Sequence, residues 1–437
     1  MEKITLKTKC GDIIGAAADH AVFFRNVPFA TAGRFEPAVQ VDRFPSVIDA
    51  GGPSIECPQY SSFLDESEGF YAKEFRKGQT FRYCEETLYL SVIAPQNRTN
   101  CPVLVHIYGG GFLTGKHGEH PAADSLEYVR RGIILVSISY RLNVFSLYRG
   151  KNLHIGDQLC ALKWIKENIA DYGGDADNVT LIGESAGGMS IFDLLFCEEF
   201  TGLARRAVIM SGIMLLPRFL SGYTPEKSKA FWDDIMHKLG ADRDEDLQKS
   251  DPKELWSVWH EETRRRRDRL RLNQPAIDGR YITDSASGML KGRKMADIPL
   301  IIGVAAQDMY FPALMFAFAK RFANRWCRHQ KENLYFYYFD HVLPGGRYRA
   351  FHSADLWYTF GNMAYGWRPF GEEDHQLKDA MIDCVSRFAL EGDPGWAAYQ
   401  DNDKKIRRFH SAREEYLKGC KHYGELLLNS LFRRGPM

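Results

Sequence analysis

Apolar runs rich in β-branched residues punctuate the chain at 103–108, 133–138, 179–182, 207–210 and 299–302, and a further strand-like run follows at Leu334–Phe339. Runs of that length, with few polar positions, predict strands buried on both faces. Helical patterns fall between several of them. The clearest covers 158–170, where Leu162, Ile165 and Ile169 share one face while Lys163, Lys166 and Glu167 point away, ahead of Gly173-Gly174. The first 28 residues read instead as short strands, with Cys10-Gly11-Asp12 as the turn between 4–7 and 13–16.

Strands alternating with helices imply parallel crossovers and a twisted sheet covered on both sides, an α/β protein whose ligands sit beyond the carboxyl ends of the strands. From about 215 to 271 the alternation gives way to charged helical sequence, read as an insertion or cap within one catalytic unit spanning 1–437. Arg264-Arg265-Arg266-Arg267 and Arg269 lie among Glu261, Glu262 and Asp268, so the run reads as a solvated helix face and not as a docking patch.

Charge narrows the partners. Lys plus Arg number 57 and Asp plus Glu 56, which gives no electrostatic reason to expect nucleic acid or an anionic membrane. No run is long enough to span a bilayer, and residues 1–7 alternate charged and apolar side chains with no apolar secretory core. Nine scattered cysteines with no C-x-x-C pair read as reduced thiols, hence a cytoplasmic protein. On that reading the glycosylation patterns at Asn97 and Asn178 are coincidental. His117, Glu119 and His120 lack helical i, i+4 spacing and read as a loop, so neither metal nor cofactor is expected. The expected partner is a small molecule, met by a monomer or small homo-oligomer.

Two motifs carry candidate chemistry, that of ester hydrolysis. Gly183-Glu184-Ser185-Ala186-Gly187 follows a predicted strand and precedes a helix-like stretch, the context of a nucleophile elbow, where a serine sits in a strained strand-to-helix turn. His106-Ile107-Tyr108-Gly109-Gly110-Gly111-Phe112 leaves a strand in a glycine run, which frees backbone N–H groups to face a negative oxygen. No Gly-Lys-Ser/Thr follows, which excludes a phosphate loop. Among thirteen histidines, His352 and His341 both lie after the Leu334–Phe339 strand, where a base is needed. Asp308 follows the strand at 298–304, and the order Ser185, Asp308, His352 is that of the α/β-hydrolases.

These and other landmarks resemble the type-B carboxylesterases, the family of para-nitrobenzyl esterases, mammalian carboxylesterases and cholinesterases. They include Phe24-Arg25-Asn26-Val27-Pro28, Cys57-Pro58-Gln59, Tyr140-Arg141-Leu142, Gly156-Asp157-Gln158, Ser211-Gly212, Pro275-Ala276-Ile277-Asp278-Gly279 and Gly392-Asp393-Pro394. The resemblance implies an α/β-hydrolase fold, Ser185 as nucleophile, His352 over His341 as base, Asp308 as acid, and Gly110, Gly111 and Ala186 as oxyanion donors. It also implies that Ser211 hydrogen-bonds within the triad and supports its acid. Thr87 stands where the family's disulfide partner for Cys57 would be, which implies a free thiol and a bacterial-type intracellular enzyme. Ser146 replaces a usual glycine, and shortening after Met309 and in the insertion implies an altered gorge. Pocket walls are expected from Tyr108, Phe112, Met309, Tyr310, Phe351 and Tyr358, favouring uncharged esters with apolar groups. The same machinery suits amides, thioesters or carbamates, and non-catalytic adhesion relatives exist, but all three triad positions are filled here.

Overall fold

The computed structural model describes residues 2–64, 69–292, 295–309, 311–346 and 348–417. A single large sheet carries the strands β1 (Glu2–Thr8), β2 (Gly11–Ala18), β3 (Ala21–Pro28), β4 (Tyr89–Pro95), β5 (Cys101–Ile107), β6 (Ile134–Ile138), β7 (Gly174–Glu184), β8 (Arg206–Met210), β9 (Leu300–Ala305), β10 (Leu334–Phe339), β11 (Arg407–Phe409) and β12 (Glu415–Tyr416). Their spatial order is 1-2-3-4-6-5-7-8-9-10-11-12. The first four strands are antiparallel neighbours, as is β4 against β6, and everything from β6 to β11 is parallel.

Burial on both faces explains the runs of unbroken apolar sequence. In β5, Val103, Val105 and Ile107 join one core with Trp164, Ile191, Phe322 and Trp326, while Leu104 joins the other with Tyr128, Trp357 and Phe388. The first core is covered by α2 (Leu153–Asn168), α3 (Ala186–Leu194) and α8 (Pro312–His329), and the second by α10 (Glu372–Glu391), with α1 (Phe70–Phe75) and α9 (Leu356–Phe360) beside it. In α8, Met315, Phe316, Ala319, Phe322, Ala323 and Trp326 form the apolar stripe.

Helix α2 starts five residues earlier than its periodicity predicts. Its first turns, including His154, Asp157 and Gln158, are buried nearly all round, so no polar face marks them. The expected insertion contains α4 (Pro225–Lys238), α5 (Asp244–Lys249), α6 (Pro252–Arg265) and α7 (Arg269–Leu272). Arg265 pairs with Glu261 and Glu262, and Arg266 with Asp234, so these two arginines sit in a mixed-charge surface.

Position in the sheet fixes the site. Strand β6 returns to one side of β5 and β7 pairs on its other side, which opens a crevice at the carboxyl ends of β5 and β7. Ile107 registers with Gly183, so the glycine run and the serine turn leave the sheet side by side.

Candidate active site

Ser185 occupies the single-residue turn between β7 and α3, at φ 55 and ψ −123. Such a conformation is strained for a side-chain-bearing residue. The turn is tight enough that a Cβ on Gly187 would lie 1.9 Å from the Ile107 carbonyl oxygen. Gly109 is equally constrained, because a Cβ there would meet the Glu184 carbonyl oxygen at 2.7 Å and Ser185 Cβ at 3.0 Å. Glycine at both places lets the two loops touch.

Three side chains from separate strand ends then meet. His352 Nε2 lies 2.8 Å from Ser185 Oγ, and His352 Nδ1 lies 2.5 Å from Asp308 Oδ1. Asp308 is fully buried, and its Oδ2 accepts the Ala305 N–H at 3.3 Å. An imidazole held between a hydroxyl and a carboxylate can take the hydroxyl proton and return it to a leaving group. His341 is engaged elsewhere, with His410 carbonyl at 2.8 Å and Asp374 Oδ1 at 2.9 Å.

Two further carboxylates surround the imidazole, and sequence reasoning had assigned neither a role. Glu184 Oε1 lies 3.3 Å from His352 Nε2 and accepts from Ser353 Oγ at 2.8 Å. Asp355 accepts from the Tyr337 hydroxyl at 2.7 Å. Burial pushes the Glu184 carboxyl up to about 7 and that of Asp355 up to about 6. Burial alone would lower the basicity of His352, but Glu184, Asp308 and Asp355 together outweigh it and push the imidazole up to about 9. Glu184 was legible in principle, since it lies inside the pentapeptide beside the serine.

Gly110 and Gly111 line the same cavity as Ser185, and Ala186 is the first residue of α3 directly after it. Gly110 and Gly111 take φ of 109 and 64, and Gly110 oxygen accepts the N–H groups of Leu113 and Thr114, which folds the loop back on itself.

A cavity of about 650 Å³ opens over Ser185 and His352. Tyr108 and Met309 line it, as expected, with Phe70, Phe75, Ala122, Leu356 and Phe311 supplying further apolar wall. Tyr310 lies outside the described residues. The other aromatic expectations are corrected. Phe112, at φ 62, turns inward to pack against His154 at 4.9 Å. Phe351 is fully buried against the edge of Phe70, and Tyr358 is buried with its hydroxyl donating to Asp374 Oδ1 at 2.5 Å. Each stands beside a motif in sequence but is buried away from the cavity.

Ser211 also departs from expectation. Its N–H donates to the Gly303 oxygen at 2.8 Å, while its buried Oγ finds no hydrogen-bond partner among the described residues. Asp308 therefore receives no hydrogen bond from it here. Ser146 is buried away from the cavity, its Oγ 2.9 Å from His154 Nδ1. Cys57 is an unpaired thiol that receives the Leu142 N–H at 3.4 Å. His117 packs against Glu56, with Nδ1 3.2 Å from the carboxylate, and His120 stacks on Tyr365 at 4.3 Å.

The wall formed by α1 is fixed from behind. Glu74, at the end of α1, accepts from Trp357 Nε1 at 2.9 Å, Trp367 Nε1 at 2.8 Å and Arg368 Nε at 2.6 Å. This buried clamp anchors the short helix that carries Phe70 and Phe75.

Comparison with known proteins agrees with this architecture. A carboxylesterase family profile matches residues 2–321 and 307–424. Para-nitrobenzyl esterase of Bacillus subtilis (strain 168) is 26% identical over 476 residues, covering 91% of this chain and 93% of that protein. Carboxylesterase 5A of Mus musculus is 31% identical over 51% of this chain and 40% of its own length. A solved PNB esterase superposes with a TM-score of 0.81 at 24% identity, over 97% of this chain and 99% of that one. An esterase from the anaerobe Clostridium hathewayi gives 0.83 at 20%, over 98% and 99% respectively. With the family profile spanning nearly all of the α/β-hydrolase fold described above, the chain belongs to the carboxylesterase family and is a carboxylic ester hydrolase.

Proposed function

We propose that the protein hydrolyses uncharged carboxylic esters through an acyl-enzyme on Ser185. The observation that carries this reading is the unbroken hydrogen-bonded series Ser185, His352, Asp308 at the floor of an apolar cavity. His352 takes the Ser185 proton as Oγ attacks the ester carbonyl, and Asp308 holds the imidazole tautomer and stabilises the imidazolium. The N–H groups of Gly110, Gly111 and Ala186 receive the oxyanion. The alcohol leaves with the proton from His352. Water, deprotonated by the same imidazole, then attacks the acyl-enzyme and frees the serine.

Apolar side chains make up much of the wall, and of its charged residues Arg76 and Glu119 neutralise each other at 2.7 Å, which favours neutral substrates. Phe311 is 67% exposed at the mouth, which supports esters whose apolar part extends past the cavity. The similar Clostridium hathewayi esterase is described as hydrolysing aliphatic aromatic polyesters, substrates of that character. Eight unpaired cysteines among the described residues support a reducing, cytoplasmic setting, and the near-neutral charge supports a small-molecule partner over nucleic acid or membrane. Among the described residues no helix is long and apolar enough to cross a membrane.

Labelling with a fluorophosphonate probe, followed by peptide mass spectrometry, tests the assignment. Modification at Ser185 with loss of phenyl-ester hydrolysis is expected. Labelling elsewhere, or activity that survives modification of Ser185, would overturn it.

A further inference from the structure

His106 is the penultimate residue of β5, three residues before Gly109, and it forms part of the cavity surface although it is only 6% exposed. Its Nδ1 lies 3.3 Å from Ser137 Oγ on the neighbouring strand, and the edge of Phe360 packs on the ring at 4.9 Å. Nε2 makes no hydrogen bond among the described residues, yet it is not one of their sealed, unpartnered polar atoms. It therefore opens onto the cavity.

The tautomer follows from the Ser137 hydroxyl. That buried group has no acceptor among the described residues other than His106 Nδ1, so its proton is satisfied only if it donates there. Nδ1 then accepts, and Nε2 carries the ring proton. Burial in an apolar surround keeps the imidazole neutral, so what it offers the cavity is an uncharged donor.

We infer that His106 is a specificity-determining residue that donates from Nε2 to a neutral oxygen acceptor on the buried arm of the ester, such as a second carbonyl or an ether. This rests on the ester-hydrolase reading and names the substrate class within it. A fixed neutral donor on the wall of this cavity disfavours a plain hydrocarbon less by clash than by being left unpaired. His106 registers with Ile182, three residues before Ser185, which is about 10 Å along a strand. The acceptor therefore lies several bonds from the scissile carbonyl.

The test compares phenyl pentanoate, hexanoate and heptanoate with their 4-oxo, 5-oxo and 6-oxo counterparts, and alkyl acetates with the matching keto-alkyl acetates. The leaving phenol brings no extra acceptor. Wild-type enzyme is expected to favour one oxo ester over its parent by about three- to tenfold in kcat/KM, the size of one neutral hydrogen bond. His106→Phe should reverse that preference while still hydrolysing the parent esters, and His106→Gln, which keeps an N–H donor, should restore part of it. If the Phe variant does not fold, His106→Leu carries the comparison. An unchanged oxo-to-parent ratio in the apolar variant, or no oxo preference at any position in either arm, overturns the proposal. Failure of wild-type enzyme on the parent esters as well would instead remove the esterase reading on which it stands.

Discussion

The Glu184 carboxylate lies 3.3 Å from the same His352 nitrogen that bonds Ser185. A negative charge there stabilises the imidazolium, and a protonated imidazole cannot act as base. The acid limb of kcat/KM should therefore inflect well above the ordinary histidine value of 6.5, toward the value of about 9 that the surrounding carboxylates impose. Glu184→Gln removes one of those charges and should move the limb to lower pH, so that at pH 6.5 the variant keeps a larger share of its own maximum rate. A limb that stays put or rises would refute this role for Glu184.

Asp308 is buried, with the imidazole as its short-range charge partner at 2.5 Å. Asp308→Asn should lower kcat by about four orders of magnitude through the wrong tautomer, with Ser185→Ala lowering it by about six. Steady-state hydrolysis of phenyl esters, alongside circular dichroism to verify folding, measures both. Loss of less than tenfold in either variant would exclude the assigned role.

Glu74 and Arg368 are paired at 2.6 Å and almost wholly removed from solvent. Glu74→Ala leaves the guanidinium without its counter-charge, and breaking a buried pair in this way costs about 3–5 kcal/mol. Urea unfolding should show a loss of that order. Because α1 walls the cavity, a milder Glu74→Gln variant should raise KM for bulky esters more than for acetates. Equal KM changes across the series would separate the clamp from the site.

Asp193 is buried on α3 beside Asp278, and burial, reinforced by that neighbour, pushes its carboxyl up to about 8. The folded state then binds a proton that the unfolded chain releases near 4, so stability falls as pH rises between about 4 and 8. Asp193→Asn removes the titration. The melting temperature of the variant relative to wild type should climb across that window. A constant difference would contradict the assignment.

Much of this was readable from the chain because its signals are local. The apolar runs at 103–108 and 207–210 match β5 and β8 to within two residues, and β10 matches without shift, since buried parallel strands admit few polar positions. The Ser185 elbow and the Gly109–Gly111 turn announced themselves through glycine, which close backbone approach demands. What escaped depends on the direction a side chain takes after folding. Phe112, Phe351 and Tyr358 sit beside landmarks yet face the cores, whereas His106 and Glu184 face the cavity from within motifs read for other residues. Helix α1, with Phe70 and Phe75, comes from a stretch with no periodicity to mark it, because six residues make under two turns.

The pairing of Ile107 with Gly183 fastens the anion-binding turn and the nucleophile to neighbouring strands in the middle of the sheet. Spacing between those two groups is consequently set by interstrand hydrogen bonds and is independent of the length of any peripheral loop. Lineages can thus trim or extend the outlying segments, and with them the shape of what is admitted, while the reacting atoms inherit an unaltered geometry.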